Sequence, residues 1–245
     1  MISASRIGWR IGGATILDDI SLDVGAGELL GIIGPNGAGK SSLVNILSGT
    51  VRPTTGSIEL DGQDVTRLSA TARAARGLAR SFQTSALFDG LTSAENVRLA
   101  IQGSHPGRLS LVRSASSTAP VEQVNSLLDR VRMPGRGDVL AGALSHGDRR
   151  KLELAMAMAS DPRVLLLDEP MAGVSAEDVD GLTSIIAEVR DSGVAVLMVE
   201  HHMHVVLGLA GRVAVVHHGR LLALGSADDV TADPEAQQAY LGGAL

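Results

Sequence analysis

The chain has 245 residues, 44% of them hydrophobic, a formal net charge of −6 and no cysteine. That is enough apolar content for a sizeable core, in one large domain or two small ones. It excludes disulfides and thiolate metal sites, offers no global basic field for nucleic acid, and contains no apolar run near the roughly 18–20 residues that cross a bilayer.

Met1 to Arg10 lacks the basic start and apolar centre of a signal peptide, so a soluble or peripheral protein is expected. Alternation puts Ile7, Trp9 and Ile11 on one strand face, and Gly12-Gly13 marks a turn. Ile16 to Val24 reads as the second strand of an N-terminal antiparallel sheet. Glu28 to Ile33 is a short apolar run that suits a buried strand, and Ser41 to Leu47 can start a helix. Between them lies Gly34-Pro35-Asn36-Gly37-Ala38-Gly39-Lys40-Ser41-Ser42. It fits G-x-x-x-x-G-K-[ST], in the strand–loop–helix setting which that phosphate-binding motif requires.

The residue types explain the motif. Gly34, Gly37 and Gly39 allow a tight turn whose N–H groups lie against phosphate oxygens. The helix aims its positive end at the same anion. Lys40 can reach β- and γ-phosphates as a compact charge, and the Ser41 hydroxyl is placed for Mg²⁺. The chain has nineteen arginines and only two lysines, and one of the two is Lys40.

Downstream, Ser57 to Leu60 reads as a strand between turns at Arg52–Gly56 and Asp61-Gly62. Ala70 to Arg76 reads as a helix, with Arg73, Arg76 and Arg80 expected on a solvated face. Leu78 to Gln83 reads as a strand. From residue 84 to about 160 the character changes to helix. Ser93 to Ala100 has Ser93 as its expected cap. Val121 to Val131 repeats apolar residues at 121, 124, 127, 128 and 131, and Asp148 to Ser160 puts Leu152, Ala155, Met156 and Ala159 on one side. Gly103 to Pro120 reads as a loop.

The α/β pattern then resumes. Val164–Leu167 and Val194–Val199 suit parallel strands buried on both faces, with a helix over Ala176 to Asp191 between them. Arg212–His217 and Leu221–Leu224 flank a hairpin turn at His218-Gly219, and Ala227 to Leu241 is helical. Asp168-Glu169 ends a buried strand, where a carboxylate points into the ligand crevice. Asp168 suits Mg²⁺ through its water shell, and Glu169 suits polarising an attacking water. Leu144-Ser145-His146-Gly147-Asp148 opens a helix and offers a second anion site, weak by itself. The run His201-His202-Met203-His204 invites a metal reading that no clear ligand spacing supports.

Taken together, these residues resemble the ATP-binding cassette (ABC) family of transport ATPases over nearly the whole chain. Gly34–Ser42 looks like its Walker A loop, Gln83 its Q-loop and Leu144–Asp148 its signature. Val164–Glu169 looks like its Walker B strand, Ala172–Ser175 its D-loop and His201 its switch histidine. The resemblance implies one α/β P-loop NTPase (RecA-like) domain over 1–245. Residues 1–85 and 161–245 would form its core, with an N-terminal antiparallel β subdomain, and 86–160 an inserted helical subdomain. It implies ATP and Mg²⁺ as ligands, the metal held by Ser41, Gln83 and Asp168. Two such cassettes would pack head to tail, with Ser145 and Gly147 of one meeting ATP on the Walker A loop of the other. Glu169 would be the base, His201 would contact the γ-phosphate, and Gln83 would link to the helical insert.

A closer resemblance runs through Arg80-Ser-Phe-Gln83, Leu87-Phe88, Leu91-Thr92, Glu95-Asn96-Val97, Val199-Glu200-His201 and Ala239-Tyr240-Leu241-Gly242. It is to the ATPases of branched-chain amino acid importers, a subgroup that also serves urea and short amides. It implies integral permease subunits, a second ATPase subunit, an extracytoplasmic solute-binding protein reached indirectly, no nucleic acid, and a peripheral place on the cytoplasmic face of the membrane. A soluble non-transport ABC ATPase is the alternative. Three positions depart from the family. His146 and Asp148 replace Gly and Gln in the signature, Ser175 replaces the D-loop aspartate, and Ile11 stands where an aromatic stacks on adenine. Trp9 either takes over part of that stacking or is an ordinary packed tryptophan.

Overall fold

The structure is a computed structural model and describes residues 1–81, 87–104 and 120–241. The chain opens with β1 (Ile2–Ile11), β2 (Ala14–Val24) and β3 (Leu29–Ile33), followed by α1 (Lys40–Ser48). Next come β4 (Thr55–Leu60) and β5 (Gln63–Asp64), then α2 (Ala70–Ala74) and β6 (Leu78–Arg80). The antiparallel sheet has the order β2-β1-β4-β5. Its strands are not evenly alternating. Register shifts fall after Ala4, Ile7 and Trp9, and Arg6 and Asp19 adopt positive φ. The expected common face therefore grades out of the core. Ile7 is fully buried, Trp9 half-buried and Ile11 53% exposed at the strand end.

Between β6 and the next strand, the described residues are helix and turn. They comprise α3 (Ser93–Gly103), α4 (Val121–Arg130), a 3₁₀ turn at Ala141–Ala143 and α5 (His146–Met158). Most of the loop predicted over 103–120 lies outside the described residues. The cap of α3 is Thr92, not Ser93. Thr92 Oγ1 accepts from the Glu95 N–H while Glu95 accepts from the Thr92 N–H, a reciprocal box that satisfies two orphan donors. Ser93 is buried instead, and its hydroxyl donates to the Val139 carbonyl at 3.2 Å. In α4 the residues 124, 127 and 128 are buried as expected, but Val121 in the first turn is exposed.

The chain then enters β7 (Val164–Asp168), α6 (Ala176–Asp191), β8 (Ala195–Val199) and α7 (Met203–Leu209). It ends in the hairpin β9 (Arg212–His217) and β10 (Arg220–Gly225), then α8 (Ala227–Ala232) and α9 (Pro234–Leu241). The second sheet has the order β10-β9-β3-β8-β7-β6, parallel except for β10 at its edge. Every residue of β3, β7 and β8 is buried, because both faces are covered. Leu30, Ile32, Leu166 and Leu197 face a core shared with α1 and the antiparallel sheet. Leu29, Ile33, Leu165, Leu167, Val196 and Met198 face the core shared with α3 to α7. The period-2 alternation of these apolar runs thus puts α1 between two sheets and α3 to α9 on the far side. This is the α/β P-loop NTPase fold.

Two arginines depart from the solvated face expected of them. Arg73 has no exposed surface. Its Nη1 donates to the carbonyls of Ile46 and Leu47 at 2.7 Å each, and its Nη2 to that of Thr66 at 3.0 Å. It thereby caps the C-terminal end of α1, where carbonyls lack intrahelical donors and a positive charge is favoured. Arg80 reaches Asn45 and Ser48 of α1 and the carboxylate of Asp168. Arg76 alone of the three is exposed.

Candidate functional site

The site is built where β3 ends and α1 begins. Gly34 has φ +146° and packs against the backbone of Val216 in β9, so that a Cβ there would overlap the Val216 carbonyl. Gly39 has φ +105°, and a Cβ on it would lie 2.7 Å from Leu17 Cδ2 of β2. The loop is therefore held from two sides, by the β9–β10 hairpin and by β2. The Gly219 N–H at the hairpin tip donates to the Ala38 carbonyl at 2.9 Å. The N-cap of α1 is Gly39, with no side-chain cap. Among the described residues no side chain occupies the first-turn N–H groups over Lys40, Ser41 and Ser42, which is the arrangement that receives phosphate. Pro35 and the exposed Asn36 and Gly37 form the outer turn.

Lys40 is 5% exposed, and its ammonium donates to the carbonyls of Gly34 at 2.6 Å and Pro35 at 2.9 Å. Burial pushes its pKa down, while the charges of Glu169 and Asp168 pull it up. Those two carboxylates therefore act on the same space as the lysine.

Asp168 is the last residue of β7 and 1% exposed. Its Oδ2 accepts from Arg80 Nη2 at 3.0 Å, and its buried Oδ1 has no hydrogen-bond partner among the described residues. Burial raises its pKa, opposed first by the Arg80 charge. An orphaned carboxylate oxygen beside the phosphate loop fits a hydrated Mg²⁺, whose charge would favour the ionised form. Among the described residues no three His, Asp or Glu side chains come together in a metal-binding group, those of the histidine run included.

Glu169 adopts φ +52°, unusual for a residue with a Cβ. Its N–H donates to Val199 at the end of β8 at 2.9 Å, which ties the two strand ends together. Its Oε1 meets His201 Nε2 at 2.8 Å. With Glu169 ionised, Nε2 carries the proton in that contact. Glu169 and His201 thus sit as a pair at the carboxyl ends of adjacent strands, the crevice end of an open α/β sheet.

Ser145 is the exposed N-cap of α5, its Oγ accepting from the Asp148 N–H at 3.1 Å. Gly147 is buried against α6, where a Cβ would come within 2.6 Å of Asp178 Oδ2. Ser175, the N-cap of α6, donates to that same carboxylate at 2.9 Å. Among the described residues, no hydrogen bond or ion pair joins Ser145 or Gly147 to the phosphate loop. Trp9 packs against the core shared with α1, while Ile11 stands exposed at the β1–β2 turn. Gln83 lies outside the described residues.

Sequence reasoning missed two positions that contact the candidate site residues. Arg80 fixes one oxygen of Asp168, and no helix or strand period marks it. Glu200 is 1% exposed and binds backbone N–H groups on both sides of the Glu169–His201 pair. It follows the buried apolar strand β8 directly, as Glu169 follows β7, so the same crevice rule would have flagged it.

The family profile described as ABC transporter matches residues 17–172. The branched-chain amino acid transport ATP-binding protein BraF of Pseudomonas aeruginosa is 33% identical, over 99% of this chain and 98% of its own. The lipopolysaccharide export ATP-binding protein LptB of Acidithiobacillus ferridurans is 35% identical, over 93% of this chain and 90% of its own. Among solved structures, the ATP-binding cassette MJ1267 in its ADP conformation superposes with a TM-score of 0.86 at 26% identity. That match covers 99% of this chain and 98% of the cassette.

Proposed function

This chain belongs to the ABC transporter family, and from that premise we propose that it powers an importer of small polar solutes, with branched-chain amino acids the foremost candidates. As an ABC transporter ATP-binding subunit it is an ATPase. The observation that carries the catalytic reading is the 2.8 Å Glu169–His201 contact beside a phosphate loop whose lysine responds to both carboxylates.

In this reading the triphosphate rests on the N–H groups at the start of α1, with Lys40 exchanging its bonds to the Gly34 and Pro35 carbonyls for phosphate oxygens. Ser41 and Asp168 would hold Mg²⁺, joined by Gln83 as the resemblance implies, and a bound metal would supply positive charge against that developing on the phosphates. Glu169 takes the proton of the attacking water at its carboxylate. His201 turns its Nε2–H toward the γ-phosphate, where developing charge is stabilised by a fixed donor. Exposed Ile11 covers the base by van der Waals contact, while Trp9 stays packed on the core shared with α1.

Ser145 and Gly147 lie on another part of the fold, which supports their use in trans. A second cassette, identical or related, packs head to tail, so that each signature helix start meets ATP on its partner. No helix among the described residues is long and apolar enough to cross a membrane. As the resemblance to importer ATPases implies, the subunit docks on separate integral permeases at the cytoplasmic face and is served indirectly by an extracytoplasmic binding protein. The importer reading is favoured by the near end-to-end match to BraF, which includes the C-terminal helices. The likeness to LptB makes export the reading to test against.

Native co-purification from solubilised membranes, with mass spectrometry of what stays bound, tests the assignment. Recovery of polytopic permeases, whose presence lets leucine, isoleucine or valine raise phosphate release, is expected. Stimulation by urea or short amides instead would correct the solute, and recovery from the soluble fraction without an integral partner would overturn the transporter reading.

A further inference from the structure

We infer that Glu200 is the positioning residue that holds the switch histidine and the catalytic carboxylate in register; this rests on the ATPase reading above. Glu200 is the first residue beyond β8, and its own N–H donates to the Ile32 carbonyl of β3 at 3.3 Å. Its carboxylate is divided between two segments. Oε1 accepts from the Met171 N–H at 2.7 Å, on the turn that follows Glu169. Oε2 accepts from the His201 N–H at 2.9 Å, the His202 N–H at 3.3 Å and His202 Nδ1 at 3.0 Å.

A carboxylate this buried persists only when its oxygens are satisfied. Here the donors are three backbone N–H groups and one imidazole, and no lysine or arginine pairs with it among the described residues. An apolar residue in its place would leave those N–H groups without acceptors. A simple end-of-strand cap would need only the His201 and His202 donors. The second oxygen, spent on Met171, joins the histidine loop to the turn that carries Glu169 and runs on to Ser175. Met171 is itself 1% exposed and so is a fixed anchor. Beside the Glu169 N–H bond to Val199, this carboxylate is thus the side chain that bridges the two segments bearing the 2.8 Å Glu169–His201 contact.

The test compares ATP hydrolysis and nucleotide binding by the full chain in wild type, Glu200→Gln, His201→Ala and the double variant. Glutamine keeps the volume and one carbonyl oxygen but sets its NH₂ against the donors on the other side. Glu200→Gln is expected to lose about 10- to 100-fold in kcat, as outer-shell orienting groups do, with KM and nucleotide Kd within about threefold. If Glu200 acts through His201, the double variant is no slower than His201→Ala alone. Turnover of Glu200→Gln within threefold of wild type overturns the inference. So does a loss that multiplies with that of His201→Ala, or a fall in kcat matched by equal loss of nucleotide affinity and a lowered Tm, which is what a merely structural role gives. Should Glu200→Gln not fold, Glu200→Asp keeps the charge one methylene short. It is then expected to lose kcat while holding Kd, and full kcat would be the overturning result. Failure of the ATPase reading is separable, because it shows as unaffected turnover in Glu169→Gln whatever Glu200 variants do.

Discussion

Replacing Arg73 by alanine strips the C-terminal end of the helix that carries the phosphate loop. Three guanidinium bonds go, at 2.7, 2.7 and 3.0 Å. Each charge-assisted bond nets about 1.5–3 kcal/mol, and the arginine also carries a desolvation cost of several kcal/mol that the truncation removes. The Ile46 carbonyl keeps a second donor, the Gly49 N–H at 3.1 Å. The Leu47 and Thr66 carbonyls have no other donor among the described residues, and each orphan costs about 1–3 kcal/mol. The two routes agree on a loss of about 3–5 kcal/mol, the range seen when one side of a buried charged contact is removed. At about 2–4 °C per kcal/mol for a chain of this size, Tm should fall by about 6–20 °C. Arg73→Lys keeps the charge near the helix end but not the fork, and should lie between. Thermal denaturation followed by circular dichroism reads all three proteins. An alanine variant melting within about 2 °C of wild type would refute the capping argument, since that shift corresponds to no more than about 1 kcal/mol.

Gly147→Ala drives a methyl into Asp178 and should break the Ser175–Asp178 bond; Tm should fall, and adding Asp178→Ala should restore most of it, whereas an unchanged Tm would argue against the tight packing. Ile11→Tyr puts an aromatic where the base is proposed to lie. Stacking at about 0.5–1.5 kcal/mol should lower the ATP Kd by about two- to tenfold in equilibrium dialysis, and no change would move the base elsewhere. Two helix-start carboxylates set part of the acid limb of stability. Glu95 is held below the usual carboxylate range first by the Thr92 N–H, and Asp229 first by the Ser226 hydroxyl. Folded values depressed in this way contribute stability above the unfolded values, lost as pH falls below about 4.5 toward the folded ones. The double variant Glu95→Gln with Asp229→Asn should therefore show a smaller drop in Tm between neutral and acid pH; an equal drop would contradict the two boxes.

The phosphate loop and the parallel sheet were legible because their signals are local. A glycine pattern sits between an apolar run and a helix start, and the strands are short continuous hydrophobic stretches bounded by charge. Arg73 and Arg80 were not, because what decides their burial is the end of α1, more than twenty residues away in sequence. A helix period cannot see that partner. Thr92 against Ser93 was legible in principle, since Thr92-Ser-Ala-Glu95 is the capping-box pattern and Ser93 lacks its acidic mate. Helix α7 was not marked in the sequence, because the histidine run His201–His204 obscures its period, although Val205, Val206 and Leu209 bury their side chains. The even alternation expected of β1 failed at its bulges, which no residue type announces. Within the site, the residues on strand ends and the loop come together. The signature residues stand apart, and sequence order alone could not say whether they would.

The most direct test measures ATP binding and phosphate release on matched preparations of wild type and Glu169→Gln. The wild type should do both. The variant should bind ATP with a Kd within about threefold of wild type and release phosphate at least about 100-fold more slowly, the usual size of a general-base contribution. A Glu169→Gln protein that turned over ATP at the wild-type rate would contradict the account of this site.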